Sequence, residues 1–289
     1  MWSDKDLAAG PARIVRRVRD RDGLPEVLAE IGSLEVRLAA TKRDIRRAQK
    51  LRYEVFFEEG GAKADPTAKL IRRDVCRFDA VCDHLIVVDK ALPRFDGSPT
   101  VVGAYRLLRQ EAAQANFGFY SAAEFRVDEL IARHPGKRFL ELGRSCVAPG
   151  YRGKRTLELL WRGIWAYARH HRIDVMFGCA SLPGADPRAH ADALAFLRGE
   201  AKPDAAWTVR AAPGRAAAEV ASGDLCAARA VVRALPPLIK GYWRLGAAFS
   251  PEAVVDEAFG TTDLMVVMPV EDIRERYLAH FAPAAELAA

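Results

Sequence analysis

The segment LELGRSCVAPGYRGKRTLELLW, residues 140–161, constrains the fold more than any other stretch of the chain. Apolar residues run up to Val147, Pro149 and Gly150 interrupt them, and a helical pattern begins near Thr156. A strand, a tight turn and a helix in that order point unpaired backbone N–H groups at one small volume. Together with the helix dipole, those groups make an anion site. Gly153 lets a ligand approach the backbone closely, and Arg152, Lys154 and Arg155 add positive charge. The spacing predicts a phosphate-bearing ligand at this turn.

The remaining chain supplies a sheet for that unit. Leu34, Val36 and Leu38 alternate with polar residues, as in a strand. Thr41 is placed to cap a helix through DIRRAQKLRYEVFFEEG, which Gly60 and Gly61 end. HLIVVDK and TVVGAYRLL flank LPRFDGSP and read as a hairpin, and FLELGRSCV is the next strand. Leu157, Leu160, Trp161, Ile164, Trp165 and Ala168 then form one apolar helix face. DVMFGCASL and DLMVVMPV read as strands, with helices through HADALAFL and VEDIRERYLAHF. This order predicts an α+β sheet protein, not a regular βαβ series. The expected organisation is a basic arm, residues 1–32, and one domain over residues 33–289 with an elaborated carboxyl-terminal third.

Composition excludes several classes. No stretch approaches the roughly 18 apolar residues of a membrane span, since Lys240 and Arg244 interrupt LPPLIKGYWRLGAAF. MWSDKDLAAG lacks an apolar signal core, which implies a cytoplasmic protein. Five dispersed cysteines without a C-x-x-C pair fit reduced thiols and give no zinc-ligand spacing, so no metal is expected. Lys and Arg total 44 against 38 Asp and Glu, and basic residues dominate from Lys137 to Arg172. Such a face steers acidic partners. No nucleic-acid recognition motif surrounds it. A solvated helix face and an anionic membrane surface stay open as readings.

VAPGYRGKRTLELLW resembles the acyl-donor loop of the GCN5-related N-acetyltransferase (GNAT) superfamily. That resemblance implies a mixed, largely antiparallel sheet flanked by helices. In that superfamily the turn grips a coenzyme A pyrophosphate or the single phosphate of a carrier protein's pantetheine arm. Lys154, Arg155 and Thr156 stand where a second small residue is usual, which favours the shallower carrier-protein phosphate. The blocks LRYEVFFEE, DVCRFDAVCDHLIVVD, VVGAYRLLR and FLELGRSCV resemble acyl-homoserine-lactone synthases. The counterparts there are Arg52, Phe56, Asp79, Arg106, Glu141 and Arg144. EEGGAKADPTAK lacks the tryptophan of those synthases. CDHLIVVD, LPPLIKGYWRLGAAF, FGTTDLMVV and IRERYLAHF are similar instead to the bacterial L-ornithine N-alpha-acyltransferases, over roughly Ser33 to Phe281.

The resemblance implies transfer of a 3-hydroxyacyl group from the 4'-phosphopantetheine arm of acyl carrier protein to L-ornithine, with no permanently bound cofactor. The chemistry needs a neutral amine, a bound thioester and a stabilised oxyanion. Glu141 is the leading proton acceptor; a structural ion pair with Arg144 or Arg106 is the alternative. Backbone N–H groups near Val147, where the strand splays, are expected to hold the oxyanion. Val147, Arg152, Gly153, Lys154 and Arg155 are the expected donor contacts. Asp79 and Asp83 are candidates for the acceptor's ammonium groups, and Arg52, Arg106 or Arg144 for its carboxylate. Asp74 and His84 are weaker candidates. The competing readings are an acyl-coenzyme A enzyme, a different amino-acid acceptor, and a non-catalytic lipid or membrane-surface binder.

Overall fold

A computed structural model describes residues 21–93, 95–200, 205–218 and 228–273. The sequence pattern emerges as strands β1 (Ala29–Ile31) and β2 (Leu34–Leu38) and helices α1 (Lys42–Tyr53) and α2 (Pro66–Ile71). There follow β3 (Asp83–Pro93), β4 (Pro99–Arg109), α3 (Gln110–Gln114), α4 (Val127–Arg133) and β5 (Phe139–Val147). Helix α5 (Lys154–His170), β6 (Val175–Pro183), α6 (Ala191–Glu200), α7 (Ala228–Ala234) and α8 (Pro237–Leu245) precede β7 (Ala248–Asp256) and β8 (Thr261–Pro269). Among the described residues, eight strands form one sheet in the order β1-β2-β3-β4-β5-β6-β8-β7. Within it β5 and β6 run parallel, and the other neighbours are antiparallel.

Local chemistry explains the helix limits. Thr41 caps α1 by accepting the Asp44 N–H, as its side chain and position predict. The helix ends at Tyr53 and continues as a π-helical turn, Glu54–Glu59, before Gly60. Such wider turns recur at functional sites because they redirect side chains. Here the turn carries Glu59 towards the β5–α5 connection. The expected boundary at Ser33 falls inside the β1–β2 hairpin, where Ile31 pairs with Leu34, and Leu24 already lies in the core. The basic run before Arg21 and the expected last helix beyond Ile273 lie outside the described residues. LPPLIKGYWRLGAAF divides into α8, the αL cap Gly246 and the start of β7, a strand that the apolar run conceals.

Strand alternation sorts the sheet into two faces. One face carries Leu85, Val87, Tyr105, Leu107, Leu140 and Leu142 against the apolar stripe of α5. The other carries two separate clusters. Ile86, Val88, Ala104 and Cys146 pack under α1, while Phe78, Leu108, Phe139 and Phe177 pack under the 119–130 segment. Burial of each Leu, Ile or Phe in these layers stabilises the fold by roughly 1.5–3 kcal/mol. On this second face, Arg106 stands between Ala104 and Leu108, in the gap between the two clusters.

Two irregularities open the centre of the sheet. Arg106 pairs with Gly143 and Ala104 with Cys146, so Arg144 and Ser145 together oppose Tyr105 in a β-bulge. Arg144 sits there at φ +52°, a left-handed conformation costing a non-glycine residue roughly 1–3 kcal/mol. The β5–β6 ladder ends at Glu141–Phe177, although β6 continues to Pro183 against β8. At the divergence a Cβ on Gly178 would lie 2.2 Å from the Leu142 carbonyl oxygen, so glycine is required. Beyond it the two strands leave a wedge.

Candidate active site

The wedge and the β5–α5 turn meet at Val147. Ala148 N–H donates to the Val102 carbonyl at 2.9 Å, towards β4. By alternation the Val147 N–H and C=O point the other way, into the wedge. Arg152 Nε accordingly reaches the Val147 carbonyl at 3.1 Å. Gly153 is the N-cap of α5 and has open space where a Cβ would stand, as a ligand-approach position requires. Lys154 and Arg155 are exposed and have no ion-pair partner among the described residues. Arg152 differs. Its guanidinium forms a fork with Glu59 at 2.5 and 2.6 Å, and that hydrogen bond holds the Glu59 carboxyl below its ordinary range. Lys154 and Arg155 are therefore the cations of this turn left for a ligand, and Arg152 ties it to the π-helical turn.

The second face collects most of the expected acceptor residues. Arg52, 1% exposed, donates to Asp74 at 2.8 Å and to Asp79 at 2.8 and 3.0 Å. Gln49 donates to Asp79 at 2.9 Å, and Arg106 lies 3.5 Å from it. Burial works against the charged Asp79, yet the Arg52 and Arg106 guanidiniums outweigh it and hold the carboxyl well below its usual range. Arg144 approaches Asp74 at 3.4 Å. Burial keeps His84 neutral, with its pKa down at about 4, and its Nε2 meets the Asp79 carbonyl at 3.0 Å.

These contacts correct two expectations. Asp79 is saturated by Gln49, Arg52 and Arg106, so it is not an open ammonium site. Asp83 faces the opposite side of the sheet, where it accepts from Tyr167 of α5. The two aspartates are not in one pocket because one lies on a turn before β3 and the other on the α5 face of that strand. Arg52 is likewise consumed by two carboxylates, whereas the Arg144 side chain is 13% exposed, approaching Asp74 and donating to Tyr120 Oη at 3.2 Å.

Glu141 is buried and makes no ion pair among the described residues, although the charge of Arg106 acts on it and opposes the effect of burial. Its two oxygens accept the Tyr120 and Ser121 N–H groups at 2.8 and 2.7 Å, at the start of the Tyr120–Ala123 turn. Burial pushes its pKa up; the Ser121 and Tyr120 donors oppose this without cancelling it. Arg144 lies 4.9 Å from the Tyr120 ring centre and 4.1 Å from that of Phe259. Phe56 meets Phe259 edge-on at 5.8 Å. Tyr120 and Phe259 are participants that sequence reasoning missed, because each lies in a loop where no periodicity or spacing assigns a role.

A splayed sheet with a bulge, a cationic strand–turn–helix beside the splay and a buried carboxylate next to it define an acyltransferase of the GNAT type. Residues 51–162 match the family described as the acetyltransferase (GNAT) domain. The L-ornithine N(alpha)-acyltransferase of Agrobacterium fabrum is 51% identical over 269 residues, 93% of this chain and 90% of that protein. The protein of the same name from Rhodobacter capsulatus is 38% identical over 245 residues, 85% of this chain and 93% of that one. This chain belongs to the L-ornithine N(alpha)-acyltransferase family. Among solved structures, FeeM, an N-acyl amino acid synthase from uncultured soil microbes, is 11% identical with TM-score 0.49, over 86% of this chain and 98% of that chain. No helix among the described residues is long and apolar enough to cross a membrane.

Proposed function

We propose that the protein transfers a 3-hydroxyacyl group from acyl carrier protein to the α-amine of L-ornithine, giving lyso-ornithine lipid. Family membership supports ornithine as acceptor. The observation that carries the mechanism is the wedge between β5 and β6, with the Val147 N–H on one side and Glu141 beside it.

A thioester carbonyl seated in the wedge receives the amine at carbon. The developing oxyanion is held by the Val147 N–H, a donor fixed before the reaction starts. Glu141, with its raised pKa, takes the ammonium proton directly or through one water. Collapse of the tetrahedral intermediate expels the thiolate, and the extra proton on the former amine nitrogen passes to that thiolate, giving the neutral amide and a free thiol. With an ordinary thiol pKa of about 8.5, no dedicated acid is needed. Arg144 holds the acceptor's carboxylate, and Arg52, Arg106, Asp74 and Asp79 form the rigid base beneath it.

The pantetheine phosphate rests at the amino end of α5, with Lys154 and Arg155 as its cationic partners. Lys154→Glu should raise KM for acyl carrier protein by about 10-fold or more, with the ornithine KM within about 2-fold of wild type. Donor KM should also rise with salt, since exposed charges are screened beyond about 10 Å at 0.1 M. Equal use of acyl-coenzyme A without salt dependence would redirect the donor half of the reading. A cytoplasmic enzyme working at the inner face of the membrane suits a soluble donor and a lipid product.

A further inference from the structure

Three titratable groups outside the machinery described above converge beside it. Glu124, Cys179 of β6 and Asp263 of β8 each bring one potential ligand atom within 4.8 Å of the others. Glu124 and Asp263 are only 7% and 5% exposed. Thr261 and Ser181 hydrogen-bond the Asp263 carboxylate, while its Oδ1 is buried without a hydrogen-bond partner. A buried acceptor left in that state costs roughly 1–3 kcal/mol, and more when charged. Arg215 lies 3.7 Å from Glu124, and Asp263 Oδ1 is left without a donor.

Position ties the cluster to the acceptor. Glu124 follows the Tyr120–Ala123 turn whose first N–H groups hold Glu141. Cys179 follows Gly178, where β6 leaves β5. Arg144 acts on Asp263, and Glu141 on Cys179, through their charges. We infer that Glu124 and Asp263 bind the side-chain ammonium of the amino-acid acceptor, while Arg144 takes its carboxylate. This assignment rests on the reading of the protein as an acyltransferase for a cationic amino acid. An ammonium supplies Asp263 Oδ1 with a donor and adds a cation to Glu124 beside Arg215, and it spans the two without deprotonating the thiol. A metal ion would need a thiolate, whereas Cys179 Sγ is placed as a donor to Glu124 at 3.6 Å and burial raises its pKa well above normal.

The cluster also has a pH signature. Burial, then the charges of Asp263 on β8 and Asp256 on β7, push Glu124 up to about 7; the Cys179 thiol and Arg215, at 3.7 Å, oppose this. Ionisation of Glu124 should therefore improve ornithine binding as pH rises through 7. Norvaline, which lacks the terminal ammonium, should not show that dependence.

The test compares kcat/KM for ornithine and norvaline in wild type, Asp263→Asn and Glu124→Gln. Wild type should prefer ornithine by about 10³-fold or more, since sites built for a charged hydrogen-bonding group reject analogues lacking it. Each variant should lose at least about 10-fold of that preference through ornithine KM, with norvaline turnover within about 2-fold. Glu124→Gln should also lose the rise near pH 7. Preference retained in both variants, or equal losses for both substrates, would overturn the site. Should either variant fail to fold, calorimetric titration of wild type with ornithine serves instead: tighter binding at pH 8 than at pH 6 supports the site and pH-independent binding overturns it. One equivalent of zinc or manganese in purified wild type, absent from Asp263→Asn, would also overturn it in favour of a metal centre. Failure of wild type to discriminate ornithine from norvaline would instead count against the ornithine reading itself.

Discussion

Glu141→Gln is expected to lower kcat by about 10²-fold or more while acyl-carrier-protein affinity stays near wild type, the range for loss of a general base. The expectation rests on a carboxylate that is buried, carries a raised pKa and makes no ion pair among the described residues. A raised pKa moves the acid limb of the rate profile above the usual carboxylate range, so activity should fall as pH drops through that limb. Gln retains one acceptor oxygen for the Tyr120 and Ser121 N–H groups and loses the other. That mismatch costs about 1–3 kcal/mol of stability, so kinetics should be measured well below the variant's Tm. Near-normal turnover from pH 6 to 9 would leave Glu141 as an anchor for the Tyr120–Ala123 turn and remove it from the chemistry.

Arg52→Met should produce the largest loss of stability, about 3–5 kcal/mol, because it breaks a buried ion-pair network on one side. Asp74 and Asp79 both lose their closest cation, at 2.8 Å in each case. Asp79 has a folded-state pKa held below its ordinary 3.8. Its stabilising contribution is therefore present above that ordinary value and lost as pH falls through the folded value. The gap between wild type and Arg52→Met should accordingly be widest near neutral pH and shrink on acidification below about pH 4. Urea unfolding at pH 7 and at about pH 2.5 reads both quantities. A variant as stable as wild type at pH 7 would show that the Arg52 network is not what fixes β3, β4 and α1 to one another.

Periodicity made most of the sheet legible. Leu34, Val36 and Leu38 in β2, and the apolar stripe of α5, were readable because each has one buried face. β7 was hidden because Ala248 and Phe249 continue an apolar run begun in α8, and no turn signal beyond Gly246 separates them. The donor turn was legible for the same reason that it works: Pro149, Gly150 and Gly153 punctuate a strand and open a helix. Arg152 shows the limit of that reading. Sequence gives its charge and neighbours but not the distant Glu59 that occupies it. Asp79 and Asp83 looked like a pair because they are close in the chain; strand alternation sends Asp83 to the α5 face. The one carboxylate inside TTDLMVVM, Asp263, was an available signal, since a charged group in a buried strand needs a reason. Glu124 carried no such mark.

The central claim is acyl transfer to ornithine at the β5–β6 wedge, and the direct measurement is thiol release by the purified protein. The protein is mixed with 3-hydroxyacyl carrier protein and, separately, ornithine, norvaline, lysine or glutamine, and each product is identified by mass. The account predicts rapid, ornithine-dependent release of carrier-protein thiol with one N-acylornithine formed per thiol, and weak release with the other amino acids. It would be contradicted by release that is no faster with ornithine than without it, or by a glutamine adduct forming in its place.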